Sequence, residues 1–218
     1  MLFGFELEYF VINKKNQVVV PREELSSFLD AGGILVEARG EPQKHPALAL
    51  VALKLKYAVL NKAVRKAKRR LLLAPRAKVT PASLRYAQSH KKGFNPEAAP
   101  IFERFRNPVK LEHRIPGVYQ AGFHVHFSQP DPYDPKRNMP FDMVYPIRLL
   151  DQEFAREIHL AGRLPGAYQI KPYGFEYRSL PATVNQKKLV KVLCKMLAPR
   201  EFEMYPDNEI PDDDGDDL

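Results

Sequence analysis

The chain has 218 residues, 44% of them hydrophobic and 28% charged, with a net charge of +8 and one cysteine. These values describe a globular chain long enough to bury a core, and they exclude a disulfide-stapled scaffold. There is no run of 18 apolar residues and no charged-then-apolar leader pattern, so neither a membrane span nor a signal peptide is expected. A lone Cys194 in an apolar helical pattern reads as a packed residue of a protein kept in a reducing, cytoplasmic compartment.

The charge is unevenly spread. Asp207 to Leu218 holds seven acids and no base, which leaves 34 bases against 19 acids in the remainder. The expected organisation is one domain over 1–206 and an acidic tail over 207–218 with too little apolar content to fold. A body this basic suits a polyanionic partner, such as a nucleotide, a nucleic acid or a phosphorylated substrate, and it also suits a plain solvated surface.

Gly4-Phe5-Glu6-Leu7-Glu8-Tyr9-Phe10-Val11 opens the chain as a strand rich in aromatic and β-branched residues. Alternation puts Phe5, Leu7 and Tyr9 on one face and Glu6 and Glu8 on the other, their side chains about 6–7 Å apart. Like charges at that spacing call for a wet face or a cation between them. A polar turn at 13–16 and Gln17-Val18-Val19-Val20 complete a hairpin signal. Residues 26–33 read as a short helix or turn ended by glycines, and Ile34 to Gly40 as a strand with Glu37 as its acid.

Pro46 starts a long helix with Leu48, Val51, Ala52, Leu55, Val59, Leu60 and Ala63 at helical spacing, continuing through a basic cluster to Arg70. That cluster fits either phosphate contacts or a solvated helix end. The prolines between 75 and 116 predict loops, short helices and edge structure, with a lid among the readings. Tyr119 to Ser128 is a strand, 129–140 a Pro/Asp-rich loop, and Phe141 to Ile158 a helix. Tyr173 to Pro181 is a strand and Lys187 to Leu197 the last helix.

Three strands repeat one arrangement. Glu6 and Glu8, His124 and His126, and Glu176 and Arg178 each share a face, opposite apolar neighbours. In one sheet these would form a polar wall, with helices over the apolar side. Carboxylates are hard ligands for Mg²⁺ or Mn²⁺, and imidazole also suits Zn²⁺. Several carboxylates beside Arg178 point to divalent ions bridging phosphates, with an arginine neutralising a transferred phosphoryl group. A zinc hydrolase using His124 and His126 is a competing reading.

In their order these strands resemble the glutamine synthetase and glutamate–cysteine ligase superfamily of carboxylate–amine ligases. Gly4-Phe5-Glu6-Leu7-Glu8 is similar to its opening Glu-x-Glu strand, and Leu35-Val36-Glu37 to its next acidic strand. Ala121-Gly122-Phe123-His124-Val125-His126 is similar to its Gly-x-His-x-His strand, and Glu176-Tyr177-Arg178 to its late Glu-Phe-Arg strand. Residues 171–181 look most like the phage-encoded amidoligases of the phiEco32-like type-2 group. The resemblance implies an α+β fold: a curved, mainly antiparallel sheet with helices on its convex face. It implies ATP and Mg²⁺ (or Mn²⁺), and a carboxylate and an amine joined through an acyl phosphate in the host-cell cytoplasm. Glu6, Glu8, Glu37, His124 and Glu176 are the metal ligands it implies. His124, His126, Lys171 and Arg178 would meet the nucleotide, and Glu176, Arg178, Arg163 and Lys171 would serve the chemistry. Gln169 departs from the Arg expected in Gly-x-Tyr-Arg, with Arg163 or Lys171 as its substitute. Closure of the site would fall to loop 75–116 or to a second subunit of a homo-oligomer. A catalytically altered ligase fold acting as a nucleic-acid-binding or virion-assembly module is the alternative.

Overall fold

In the computed structural model, residues 1–21, 23–30, 33–90, 103–104, 117–128 and 143–197 are described. The expected loop at 129–140 and acidic tail at 207–218 lie outside them, as does most of 91–116.

The first strand, β1 (Leu2–Ile12), is the axis of the main sheet. It carries β2 (Val18–Val19), β3 (Val36–Arg39), β4 (Arg70–Leu72) and β8 (Phe123–Ser128), all antiparallel. Beyond β8 come β10 (Gly174–Tyr177), β9 (Ala167–Lys171) and β6 (Glu103–Arg104). A separate two-stranded sheet joins β5 (Arg76–Lys78) to β7 (Val118–Gln120). The helices are α1 (Pro46–Lys66), α2 (Pro81–His90), α3 (Val144–Glu153), α4 (Ala155–Leu160) and α5 (Gln186–Lys195). This is an α+β architecture, a mainly antiparallel sheet with helices packed on it. Among the described residues no helix is long and apolar enough to cross a membrane.

The apolar sheet face is an aromatic row. Phe5 meets Phe123 edge-on at 5.3 Å and Phe3 meets Phe127 at 5.8 Å, while Phe127 stacks on Phe175 at 4.7 Å. Each of these rings is buried, which contributes roughly 1.5–3 kcal/mol per side chain relative to exposure. α1 packs on β1 and β3 and against α5. Its start follows from Pro46 in the first turn and from His45, whose Nδ1 accepts the Ala47 N–H at 3.2 Å. Tyr177 reaches from β10 to α3, donating its hydroxyl to Asp151 Oδ1 at 2.5 Å.

Several boundaries differ from expectation. α1 stops at Lys66, and Arg70 opens β4 instead of ending the helix. Its inner face is Ala49, Leu53, Leu60 and Val64, while Leu48, Val51, Leu55 and Val59 of the expected apolar stripe are exposed. The strand expected at 119–128 divides at Ala121-Gly122 into β7 and β8, which belong to different sheets. The helix expected from 141 to 158 breaks at Phe154, the C-cap of one helix and the N-cap of the next. β9 had no counterpart among the expected strands. It forms a hairpin with β10 that closes at Gly174, where φ is +145° and a Cβ would stand 2.2 Å from the Phe127 carbonyl oxygen. Only glycine fits there.

Candidate metal- and phosphate-binding site

Strand register builds the site. Glu6 lies opposite His124 on β8 and opposite Arg39 on β3, and Glu8 lies opposite Glu37. One row along, His126 lies opposite Gly4 on one side and Glu176 on the other, and Glu176 lies opposite Gln169. Side chains alternate between faces, so all of these, with Arg178 and Lys171, share one face of the sheet. The face is not a wet edge. Glu6, Glu8, Glu37, His124 and Glu176 are all buried.

His124 is the centre. It is fully buried, and its Nδ1 lies 3.1 Å from Glu6 Oε1 and 3.0 Å from Glu176 Oε1. Its Nε2 is 3.8 Å from Glu8 Oε2 and has no hydrogen-bond partner among the described residues. Nε2 can come this deep because residue 122 lacks a side chain: a Cβ there would be 2.6 Å from it. The Gly122 N–H also donates to Glu8 Oε2 at 2.5 Å, and the Gly122 carbonyl accepts the Glu8 N–H at 3.0 Å.

The remaining groups surround this centre. Glu6 Oε2 pairs with Arg39 Nε at 2.9 Å and lies 3.7 Å from His126 Nε2. Arg39 also pairs with Glu37. Glu176 pairs with Arg178 and, through Oε2, with Lys171 Nζ at 2.8 Å. Lys171 also donates to Gln169 Oε1 at 2.8 Å, which ties the departure noted in the sequence into the same cluster. His126 Nδ1 and the Tyr173 hydroxyl are 2.7 Å apart.

The electrostatics follow from burial set against these partners. Burial alone would raise the Glu6 carboxyl, but hydrogen bonds from His124 and His126 and their charges outweigh it and hold it well below the usual range. Glu176 is held low in the same way, by His124 and then by Arg178 and His126 against its burial. Glu37 is pushed up to about 8 by burial and then by the charges of Glu6 and Glu8. Burial and Arg178 act to lower His124, but Glu8, Glu176 and Glu6 together raise it to about 9. Burial, then Glu176 and Glu6, push the Tyr173 hydroxyl up to about 12.

Two ligand groupings emerge. One oxygen or nitrogen from each of Glu6, Glu8 and His124 lies within 4.8 Å of the others, and the same holds for Glu6, His126 and Glu176. Glu6 is common to both. A buried imidazole nitrogen with no hydrogen-bond partner, next to carboxylate oxygens, is a donor set that fits a divalent cation.

The expected residues converge with two exceptions. Glu37 is on the face but belongs to neither grouping, since its carboxylate turns to Arg39. Arg163 directs Nε to the Ser179 carbonyl at 3.1 Å and Nη2 to the Arg178 carbonyl at 2.6 Å, so it holds the chain that follows β10. Arg39 and Tyr173 were not singled out from the sequence. Arg39 follows Glu37 by two positions and therefore shares its face, a legible signal. Tyr173 sits in the β9–β10 turn, where nothing local marks it.

No protein family, curated protein or solved structure matches the chain.

Proposed function

We propose that this protein is an ATP-dependent carboxylate–amine ligase that makes an amide bond through an acyl phosphate. The observation that supports the reading best is the pair of ligand groupings sharing Glu6 on one buried sheet face, with Arg178 and Lys171 beside them. A carboxylate common to two cation sites suits a pair of divalent ions that clamp a triphosphate. Bound there, Mg²⁺ or Mn²⁺ would neutralise phosphate charge and polarise the γ-phosphoryl group.

The chain's own groups have separable tasks. Glu6, Glu8, Glu176 and His124 would hold cations, and His126, its ring positioned by Tyr173, would complete the second grouping. Arg178 and Lys171 balance Glu176 in the structure and are placed to turn toward phosphate oxygens once a cation takes that carboxylate. The substrate carboxylate attacks the γ-phosphorus and ADP leaves. The amine then attacks the acyl carbon, inorganic phosphate leaves, and the amine proton passes to a base or to water. A curved sheet of the glutamine synthetase catalytic type, in a phage-encoded amidoligase, is the finer reading of the fold that goes with this activity.

The two-histidine zinc reading has less support, because His124 and His126 fall in different groupings. The nucleic-acid reading draws on the exposed Lys62, Arg65 and Lys66 at the end of α1. The test is incubation with ATP and Mg²⁺ and a panel of acid and amine pairs. The expected result is phosphate release with a product whose mass equals acid plus amine minus water. No nucleotide turnover with any pair, together with steeply salt-dependent DNA or RNA binding that survives Glu8→Gln, would replace the ligase reading with the second one.

A further inference from the structure

The sheet face does not use the outer surface of α1. The helix buries Ala49, Leu53, Leu60 and Val64 and turns Leu48, Val51, Leu55 and Val59 outward, each more than half exposed. These four follow one another at helical spacing, and Lys62 and Lys66 continue the same line. A surface helix ordinarily puts charge there. The spine is thus apolar in its first half and basic in its second, and α1 contains no acid.

The chain itself contains a matching sequence. Residues 198–218 carry Phe202, Met204 and Tyr205 in their first half, then Ile210, with Arg200 and the acids Glu201, Glu203, Asp207 and Glu209 among them, and end in the dense run Asp212, Asp213, Asp214, Asp216 and Asp217. The large apolar residues precede the densest acidic run, as the apolar half of the α1 spine precedes its lysines, and the charge has the opposite sign. The point of departure also fits. Gln186, at the start of α5, lines a cleft with Leu53, Lys54 and Tyr57 of α1, and Cys194, near its end, places Sγ 3.8 Å from His45 Nε2. So α5 runs antiparallel to α1 and delivers the chain to the N-terminal end of α1. From there the spine extends about 31 Å at 1.5 Å per residue. An extended segment of this length reaches about 70 Å, so both halves are within range in the correct order.

We propose that residues 198–218 lie back along the outer spine of α1. Phe202, Met204 and Tyr205 sit on Leu48, Val51, Leu55 and Val59, and the terminal aspartates sit on Lys62 and Lys66. The segment acts as a built-in polyanion that shields both the apolar spine and the basic end of the helix. A second copy of this chain fits less well, because two α1 helices offer lysines to lysines and no carboxylate.

The test uses the full chain with Cys194→Ser and paired cysteines joined by a short bismaleimide. Leu55→Cys with Tyr205→Cys, and Lys62→Cys with Asp213→Cys, are expected to cross-link within one chain. The out-of-order pair Leu48→Cys with Asp213→Cys should react about tenfold more slowly, because docking and not mere tethering sets the local concentration. The Lys62–Asp213 pair should slow in 1 M salt. Equal rates for all three pairs, or links only between chains, would overturn the proposal. A spin label on Tyr205→Cys alone leaves α1 unaltered. It should broaden the amide signals of residues 48–59, and unchanged signals there would also overturn it.

Discussion

Gly122→Ala is the most exacting perturbation of the site, because it adds one methyl group and removes no charge. Gly122 lies between the Glu8 carboxylate and His124. A Cβ at this position would be 2.6 Å from His124 Nε2, 2.7 Å from Arg163 Nη2 and 3.0 Å from His124 Cδ2. Comfortable contact distances for carbon are about 3.5–4.0 Å, so the ring and the guanidinium would each have to move by close to an ångström. Neither can move freely. His124 is fully buried with Nδ1 held between Glu6 and Glu176, and Arg163 is held by two backbone carbonyls. Overpacking of this kind costs about 1–3 kcal/mol. For a chain of this length, at about 2–4 °C per kcal/mol, Tm should fall by roughly 2–12 °C. The assay is thermal unfolding followed by circular dichroism, with and without Mn²⁺. The variant should melt lower and should gain less from Mn²⁺ than the parent does. In a His124→Ala background the same substitution should cost less, with a coupling of about 0.5 kcal/mol or more. An unchanged Tm, or a cost identical in both backgrounds, would refute the geometry on which the site is built.

Other expectations follow from the same contacts. Arg163→Met should destabilise the protein by about 1.5–3 kcal/mol, the range for hydrogen bonds from a charged donor, as measured by urea unfolding; a loss of turnover with no loss of stability would show that Arg163 contacts the substrate instead. Arg178→Gln should lower ATP-dependent product formation by about 10²–10³ with little change in the cation requirement, and an unchanged rate would remove Arg178 from the phosphoryl-transfer step. Cation-free stability should be highest near pH 4.5 and should fall on either side of it, more steeply above about pH 6.5. Glu37 is raised from 4.5 to about 8 and His124 from 6.5 to about 9, so their stabilising share is complete below the lower value and is lost as pH rises through the higher one. Glu6 and Glu176 are lowered, so theirs is present above 4.5 and is lost as pH falls. Glu37→Gln should flatten the alkaline side of a Tm–pH profile; an unaltered alkaline slope would mean that Glu37 is ionised in the folded protein.

Much of the site was legible in the sequence because strands have period two. Glu6/Glu8, His124/His126 and Glu176/Arg178 needed only alternation to be placed on common faces, and the registers of β1, β8 and β10 then join those faces. What the sequence did not disclose was that β1 has partners on both edges and that its acidic face is buried. That depends on β3, β8 and β10 arriving from far along the chain. In α1 the periodic signal was degenerate. Leu48, Val51, Leu55 and Val59 are as regularly spaced as Ala49, Leu53, Leu60 and Val64, and only packing against β1 and β3 decides which set is buried. β9 was missed because Ala167-Tyr168-Gln169-Ile170-Lys171 is short and its identity rests on pairing with β10.

The central claim is that this sheet face binds divalent cations with ATP phosphates beyond them. A titration of the full chain with Mn²⁺, followed by the electron paramagnetic resonance signal of the free ion, tests it most directly. It should be run with and without a non-hydrolysable ATP analogue, on the parent and on Glu6→Gln. Two ions per chain are expected with the analogue present, one for each grouping, and both should be lost in Glu6→Gln because that carboxylate belongs to both. Equal Mn²⁺ binding by parent and variant, or binding indifferent to the analogue, would contradict the claim.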